Sequence, residues 1–368
     1  MKTVWLIFIF ALSGVSYSQE GYETPIFEPN IYEGVLSNLF VNHQPSARAE
    51  AMGRGLVANN NGDFGGYYNP ALTSLSKGFN FNYSYSQSDK EKPSLNYYCL
   101  SYSDENIGSI GIIAYYFSKP QSGFNHTDLS EKGNYDAIYT VNYSREIIKD
   151  YFAGVNLGVY HYSNHYYTWF GNERLILQDG VTLDLGLLKK FEIETEDNKQ
   201  TFQIGTSIYN IANSKVTFYD YYKNSLPVTF RIGASHKLNI ENGNHIGVPY
   251  PLEIFTNIEY EKIVNSEFHA TFRMGEELSL WKILHLRAGY FYSTVHDGYR
   301  EDESEFTCGA GLSIPLSKLL KMKNKLDLKI DYVRTDIDKH DRYFFYDYGS
   351  PFGTSYYLDD YGTFYNWG

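Results

Sequence analysis

The sequence predicts an all-β protein: about fourteen antiparallel strands closed into a transmembrane β-barrel, with an N-terminal plug segment in its bore. Three observations lead there: a strict two-residue alternation, an aromatic content out of proportion to the hydropathy, and an exchange of long and short connections. The alternation is cleanest in FNFNYSYS (79–86), where Phe79, Phe81, Tyr83 and Tyr85 oppose Asn80, Asn82, Ser84 and Ser86. Period two means a strand with one aromatic and one polar face. The chain holds 37 Tyr and 24 Phe, yet its mean hydropathy is −0.40. So much ring surface without net hydrophobicity suits residues that alternate between lipid and water.

In chain order, MKTVWLIFIFALSGVSYSQE places Lys2 before an apolar run and then small residues Ser16 and Ser18. This reads as a signal peptide over 1–18, since the run is about half of the ~20 apolar residues a spanning helix needs. Residues 19–77 are rich in Asn, Gly and Pro, lack sustained alternation, and have no core of their own. Inside the bore is the simplest place for them. Residues 78–368 supply the barrel, with strands expected at 79–86, 94–103, 108–117, 135–144, 152–162, 181–187, 201–209, 228–235, 252–261, 268–274, 283–292, 306–314, 326–332 and 352–358. Connections expected at one end are mostly short (104–106, 146–150, 192–200), with a long exception at 238–251 and, at the opposite end, a very short one near Asn265. Those expected at the other are mostly long (118–134, 163–180, 210–226, 293–304, 334–351). Nothing in a soluble sandwich forces that segregation.

The polar faces carry Asp136, Asp184, Arg231, Glu253, Glu259, Arg273, Arg287, Asp327, Lys329 and Asp331. A charge facing hydrocarbon at mid-depth costs ~2–4 kcal/mol, least for Asp and Glu. Ten of them on one face would exceed the stability of most domains, so that face is expected to line the lumen. Tyrosines near strand ends (Tyr83, Tyr85, Tyr160, Tyr162, Tyr290, Tyr292) are expected in interfacial girdles. The net charge of −12 and the lack of a basic block argue against nucleic acid. The two cysteines, Cys99 and Cys308, lie within apparent strands; they can form a single disulfide only if those strands meet, and two isolated thiols are the expectation.

The stretch SARAEAMGRGLVANNNGDFGGYYNPALTSL (46–75) resembles the N-terminal signature of FadL-like outer-membrane proteins, particularly the PorV/PorQ group. The matching residues are Ala47-Arg48-Ala49, Met52-Gly53, Gly55, Val57-Ala58, Asp63 and Asn69-Pro70-Ala71. Later stretches look similar in the right order: LDLGLL (183–188), FQIGTSIYNIAN (202–213), LPVTFRIGASHKL (226–238), IEYE (258–261) and LRAGYFY (286–292). The sequence departs from the pattern at Glu50, Arg54 and Leu72, where the family usually has glycine. The resemblance implies a fourteen-stranded barrel with the N-terminal segment folded in as a hatch. Arg48, Met52, Gly53, Gly55, Asn69, Pro70 and Ala71 would then be its structural or gating residues. Gly53 and Gly55 permit positive φ and close approach to the wall. Pro70 fixes a bend, Asn69 can pair stranded backbone groups, and Arg48 can grip a lumenal carboxylate with both arms.

Other clusters carry less. His161 and His165 have helical metal spacing, but on a strand they sit ~13 Å apart. The acidic loop 296–305 (Asp297, Glu301, Asp302, Glu303) lacks EF-hand spacing. His269, on an expected lumenal face, has neither a nucleophile motif nor a metal triad beside it. No enzyme and no cofactor is therefore expected. Tyr166, Tyr167, Trp169 and Phe170, with Tyr343, Phe344 and Phe345, form a candidate extracellular binding rim. Expected partners are outer-membrane lipid and lipopolysaccharide, with type IX secretion components and exported proteins, or a hydrophobic small molecule. Two functions stay open: a PorV/PorQ-like accessory of type IX secretion, or a FadL-like transporter of long-chain fatty acids or similar compounds.

Overall fold

The computed structural model describes residues 45–59, 64–87, 94–118, 135–167, 173–195, 198–212, 214–218, 222–240, 251–264, 270–294, 303–320 and 328–334, with short stretches at 344–346, 355–358 and 364–367. Residues 1–18, expected as a signal peptide, and residues 19–44, Asp63, Trp169, Phe170, His269, Asp297, Glu301, Asp302, Asp327 and Tyr343 lie outside the described residues.

The chain is all-β around one antiparallel sheet of thirteen strands. In chain order these are β1 (Gly78–Gln87), β2 (Ser94–Asp104), β3 (Gly108–Ser118), β4 (Tyr135–Ile148), β5 (Tyr151–Tyr167), β6 (Glu173–Glu194), β7 (Asn198–Tyr209), β10 (Thr229–Ile240), β11 (Leu252–Ile263), β12 (Ala270–Leu280), β13 (Leu284–Thr294), β14 (Glu303–Ile314) and β15 (Leu328–Arg334). A separate hairpin, β8 (Lys215–Phe218) and β9 (Tyr222–Ser225), interrupts the order between β7 and β10. The fourteenth expected strand, 352–358, does not join this sheet. Its residues give β17 (Ser355–Leu358), which pairs with β16 (Phe344–Tyr346) and β18 (Phe364–Trp367) in a sheet of its own. Both partners lie close by in sequence, so loop closure favours the local pairing. The long connection expected at 163–180 is also mostly strand, because β5 and β6 run on to Tyr167 and from Glu173.

The sheet is inverted relative to a soluble protein. Phe79 is 80% exposed, Phe306 83% and Tyr332 69%, and the same apolar face runs through Ile112, Val141, Leu157, Ile204, Ile258 and Ile330. The opposite face buries Asn142, Asn156, Asp184, Arg231, Glu259, Arg273 and Arg287. The aromatic side of FNFNYSYS therefore points outward, with Phe79–Tyr102 and Tyr83–Tyr98 ring pairs lying across β1 and β2. Tyr160 departs from the girdle expectation: it is fully buried on the polar side. Its parity with Asn156, also buried, against exposed Leu157 and Val159, turns it inward.

Residues 46–59 and 64–75 pack on the buried face as α1 (Ala47–Ala51), α2 (Gly65–Tyr68) and a 3₁₀ turn over Pro70–Leu75. Ser46 caps α1 by accepting from the Ala49 amide at 3.2 Å, satisfying a donor that a helix start leaves free. Asn69 does the same for the 3₁₀ turn, accepting from Ala71 N at 3.0 Å, with Pro70 at the first position where no N–H is needed. α1 touches β13, β14 and β15, whereas the 3₁₀ turn touches β2 through β6. The sheet thus curls around this segment. Cys99 is buried and Cys308 exposed, both as free thiols.

Candidate functional site

The contact between residues 46–59 and 64–75 and the sheet is a site built from shape, hydrogen bonds and charge. Its first component is shape. Three register-paired glycine couples open notches in the wall: Gly154 with Gly186, Gly205 with Gly233, and Gly275 with Gly289. A Cβ at Gly154 or Gly186 would meet Pro70 or Asn69, one at Gly205 or Gly233 would meet Val57, and one at Gly275 or Gly289 would meet Met52 or Gly53. Gly53 itself needs glycine's freedom, with φ of +70° and its α-carbon facing the backbone of Met274 and Tyr290.

The second component is hydrogen bonding. Each turn of the segment offers backbone groups that no helix or ladder satisfies, and the sheet's side chains reach in for them. Thr307 accepts from Gly53 N at 3.0 Å, and Glu259 accepts from Val57 N at 2.7 Å. Asn257 donates to Gly55 O at 2.6 Å, Ser235 to Ala58 O at 2.5 Å and Asn156 to Gly66 O at 2.8 Å. Asn142 donates to Pro70 O at 3.2 Å, and Ser103 to Thr73 O at 2.9 Å. Asn69 donates both to Val57 O, at 3.0 Å, and to the strand carbonyl of Leu187, at 3.1 Å. It thereby ties the two halves of the segment to β6.

The third component is charge. Arg48 forks onto Glu277, Nε to Oε2 at 2.8 Å and Nη2 to Oε1 at 3.0 Å, while Nη1 donates to Asn59 at 2.7 Å. Glu277 also takes Arg287 Nε at 2.5 Å, and Arg287 reaches Asp331 at 2.7 Å. Beside it Arg231 pairs with Glu261, and Arg273 bridges Glu261 at 2.8 Å and Glu259 at 3.3 Å. These pairs sit directly opposite in register, Arg231 with Glu261, Glu259 with Arg273, and Glu277 with Arg287. The networks run as continuous cross-strand ladders. Buried charges are tolerable because each has an opposite charge and hydrogen bonds around it.

Of the residues the sequence singled out, Arg48, Met52, Gly53, Gly55, Asn69, Pro70 and Ala71 are all buried in this contact. Asp184, Arg231, Glu259, Arg273 and Arg287 are buried on the facing wall. Glu253 is partly buried and pairs with Lys237 at 2.8 Å. Asp331 is partly buried on β15, whereas Lys329 on the same edge strand is exposed. Asp136 lies in β4, Tyr166 and Tyr167 end β5, and Phe344 and Phe345 lie in β16. The departures from the family pattern compensate one another: Glu50 pairs with Arg54 at 2.9 Å, one turn apart, and Arg54 stacks over Phe291. Leu72 is fully buried. Sequence reasoning missed Glu277 and Glu261, although their parity with Arg273 and Glu259 marks them as facing the same way.

On the β2–β5 side the wall changes character. Leu95, Tyr97, Cys99, Ile113, Tyr115, Tyr160 and Leu226 form an apolar cluster, with Phe64 and Tyr67 of the segment packed on it. A cavity of about 60 Å³ lies at its border, lined by Tyr67, Ile113, Tyr115, Ile138, Asp184 and Arg231 among others. His161 pairs with Asp179. Among the described residues no group of His, Cys, Asp and Glu is arranged to hold a metal ion.

No protein-family model and no curated protein matches the chain. Among solved structures, the chain is similar to the β domain of the Bordetella autotransporter BrkA, at 11% identity and a TM-score of 0.30, covering 64% of this chain and 93% of that one. At that score the likeness places neither fold nor function.

Proposed function

We propose that this chain is an outer-membrane β-barrel whose residues 46–75 stop the bore, and that it serves type IX protein secretion as a non-enzymatic accessory, binding cargo or partner subunits. One observation carries the reading: an inverted sheet whose buried face is built, notch by notch, to hold a segment of its own chain. An exposed face of Phe, Tyr, Ile and Leu beside a buried face of paired charges is stable where lipid lies outside. A bore occupied through three glycine notches and a forked Arg48–Glu277 pair is not an open pore. That leaves recognition at the surface as the work of the barrel, in line with the PorV/PorQ resemblance of residues 46–75.

The FadL-like reading, uptake of hydrophobic compounds, draws support from the apolar cluster around Tyr97, Tyr115 and Tyr160 and the cavity beside it. The deciding experiment compares a deletion strain with its parent. The accessory role predicts lost surface export and retention of exported C-terminal domains by the purified barrel. Unchanged export with lost uptake of a long-chain acid would reverse the order.

A further inference from the structure

The exposed face contains one row that breaks its own rule. Register places His236 opposite Thr256, Thr256 opposite Glu276, Glu276 opposite Ala288 and Ala288 opposite Cys308, all with the outward parity of their strands. The next row on one side holds Ile258, Met274, Tyr290 and Phe306. The next on the other holds Ile254, Leu278 and Leu286. A polar, small-residue stripe therefore crosses β10 to β14 in the middle of the apolar band. Glu276 is exposed there, and among the described residues nothing pairs with it. Its neighbour Glu277 points the other way, into the Arg48 fork.

We propose that this row is the docking surface for another membrane-embedded protein, one that brings an arginine or lysine side chain to Glu276. The proposal rests on the membrane reading above and adds to it where the partner sits. Along β12, Glu276 has two outward apolar residues on each side, Phe272 and Met274, then Leu278 and Leu280, so it lies ~13 Å along the strand from either end of the apolar run. Lipid cations reside at headgroup depth and do not reach it, whereas a partner's side chain at the same depth does. Thr256, Ala288 and Cys308 are small, which lets a second protein surface approach closely. Ionisable groups in such positions are costly to the isolated protein and are kept for a partner.

The test uses the full chain in native membranes, with a photo-crosslinker attached to the Cys308 thiol, and the wild type compared with Glu276→Leu and Glu276→Lys. The expected result is a discrete protein adduct whose contact segment carries Lys or Arg. It is lost in both variants and regained with Glu276→Lys when that basic residue is changed to Glu. The thermal unfolding midpoint of purified Glu276→Leu in detergent should rise, because an unpaired carboxylate has left the apolar face. A falling midpoint, an adduct that survives Glu276→Leu, an adduct with lipid only, or an adduct with a second copy of this chain would each overturn the proposal. A chain that stays monodisperse without detergent would instead overturn the membrane reading beneath it.

Discussion

The buried wall of this protein has two halves that hold one segment by different means. From β10 to β15 the wall is ionic and register-locked: Arg231, Arg273 and Arg287 meet Glu259, Glu261, Glu277 and Asp331, and Arg48 ties the segment into that network at Glu277. From β2 to β5 it is uncharged: Ser103, Asn142 and Asn156 hydrogen-bond the segment's carbonyls, and Tyr67 stacks on Tyr115 at 5.7 Å and stands edge-on to Tyr97 at 6.1 Å. Ion-pair ladders demand one geometry and fail sharply when a partner is removed. Aromatic packing tolerates small shifts at little cost. The cavity lies on the aromatic side and reaches to the border with the ionic side, where Thr182 Oγ1 and Arg231 Nη1 find no hydrogen-bond partner among the described residues. The ionic half thus sets where the segment sits, and the aromatic half is where it has room to give.

The largest expected effect breaks the ionic half. Arg48→Met leaves Glu277 with Arg287 alone, and a broken buried pair costs ~3–5 kcal/mol; the surviving Arg287 bond places this one at the low end. Denaturant unfolding in detergent should show a matching loss, and limited proteolysis should cut within 46–75. If Arg48→Met/Glu277→Gln costs as much as the two single changes added together, the pair is not coupled and the latch is an accident of packing. Next comes shape. Gly233→Val drives a side chain against the Ile258 carbonyl of β11 and into Val57 and should cost ~1–3 kcal/mol, read as a lowered midpoint with the strand content unchanged by circular dichroism.

Most of the fold, but less of the site, was legible in the chain itself. Alternation in FNFNYSYS, VTLDLGL and LDLKIDY reports a face directly, because each side chain's neighbour in sequence lies on the opposite side. The glycine couples were not legible: Gly205 and Gly233 are 28 positions apart by number and become one notch only when β7 and β10 pair in register. Glu277 follows Glu276, and nothing in the dipeptide says which acid faces the Arg48 fork; the parity of Phe272 and Met274 decides it. The fourteenth strand failed for a related reason. Residues 352–358 alternate less regularly than FNFNYSYS, and alternation in any case names a strand and not its partner.

Two smaller predictions sharpen the comparison. Thr182→Val removes a hydroxyl without a partner at the cavity and should change stability by less than ~1 kcal/mol in either direction. A loss comparable to Arg48→Met would mean the aromatic half is as tightly specified as the ionic one. Lys77→Ala removes the exposed 2.9 Å pair with Glu105 at the foot of β1 and should leave the midpoint unchanged, since such surface pairs are screened by solvent and salt.

The central claim is that lipid touches one face of these strands and the packed interior the other. It is tested most directly in β1, in a background of Cys99→Ser and Cys308→Ser, by spin labels on Phe81→Cys and Asn80→Cys in reconstituted bilayers. The label at position 81 should be open to oxygen dissolved in the membrane and shielded from an aqueous nickel chelate, whereas the label at 80 should be immobilised and closed to oxygen. A label at position 81 that meets the nickel chelate more readily than oxygen would contradict the account.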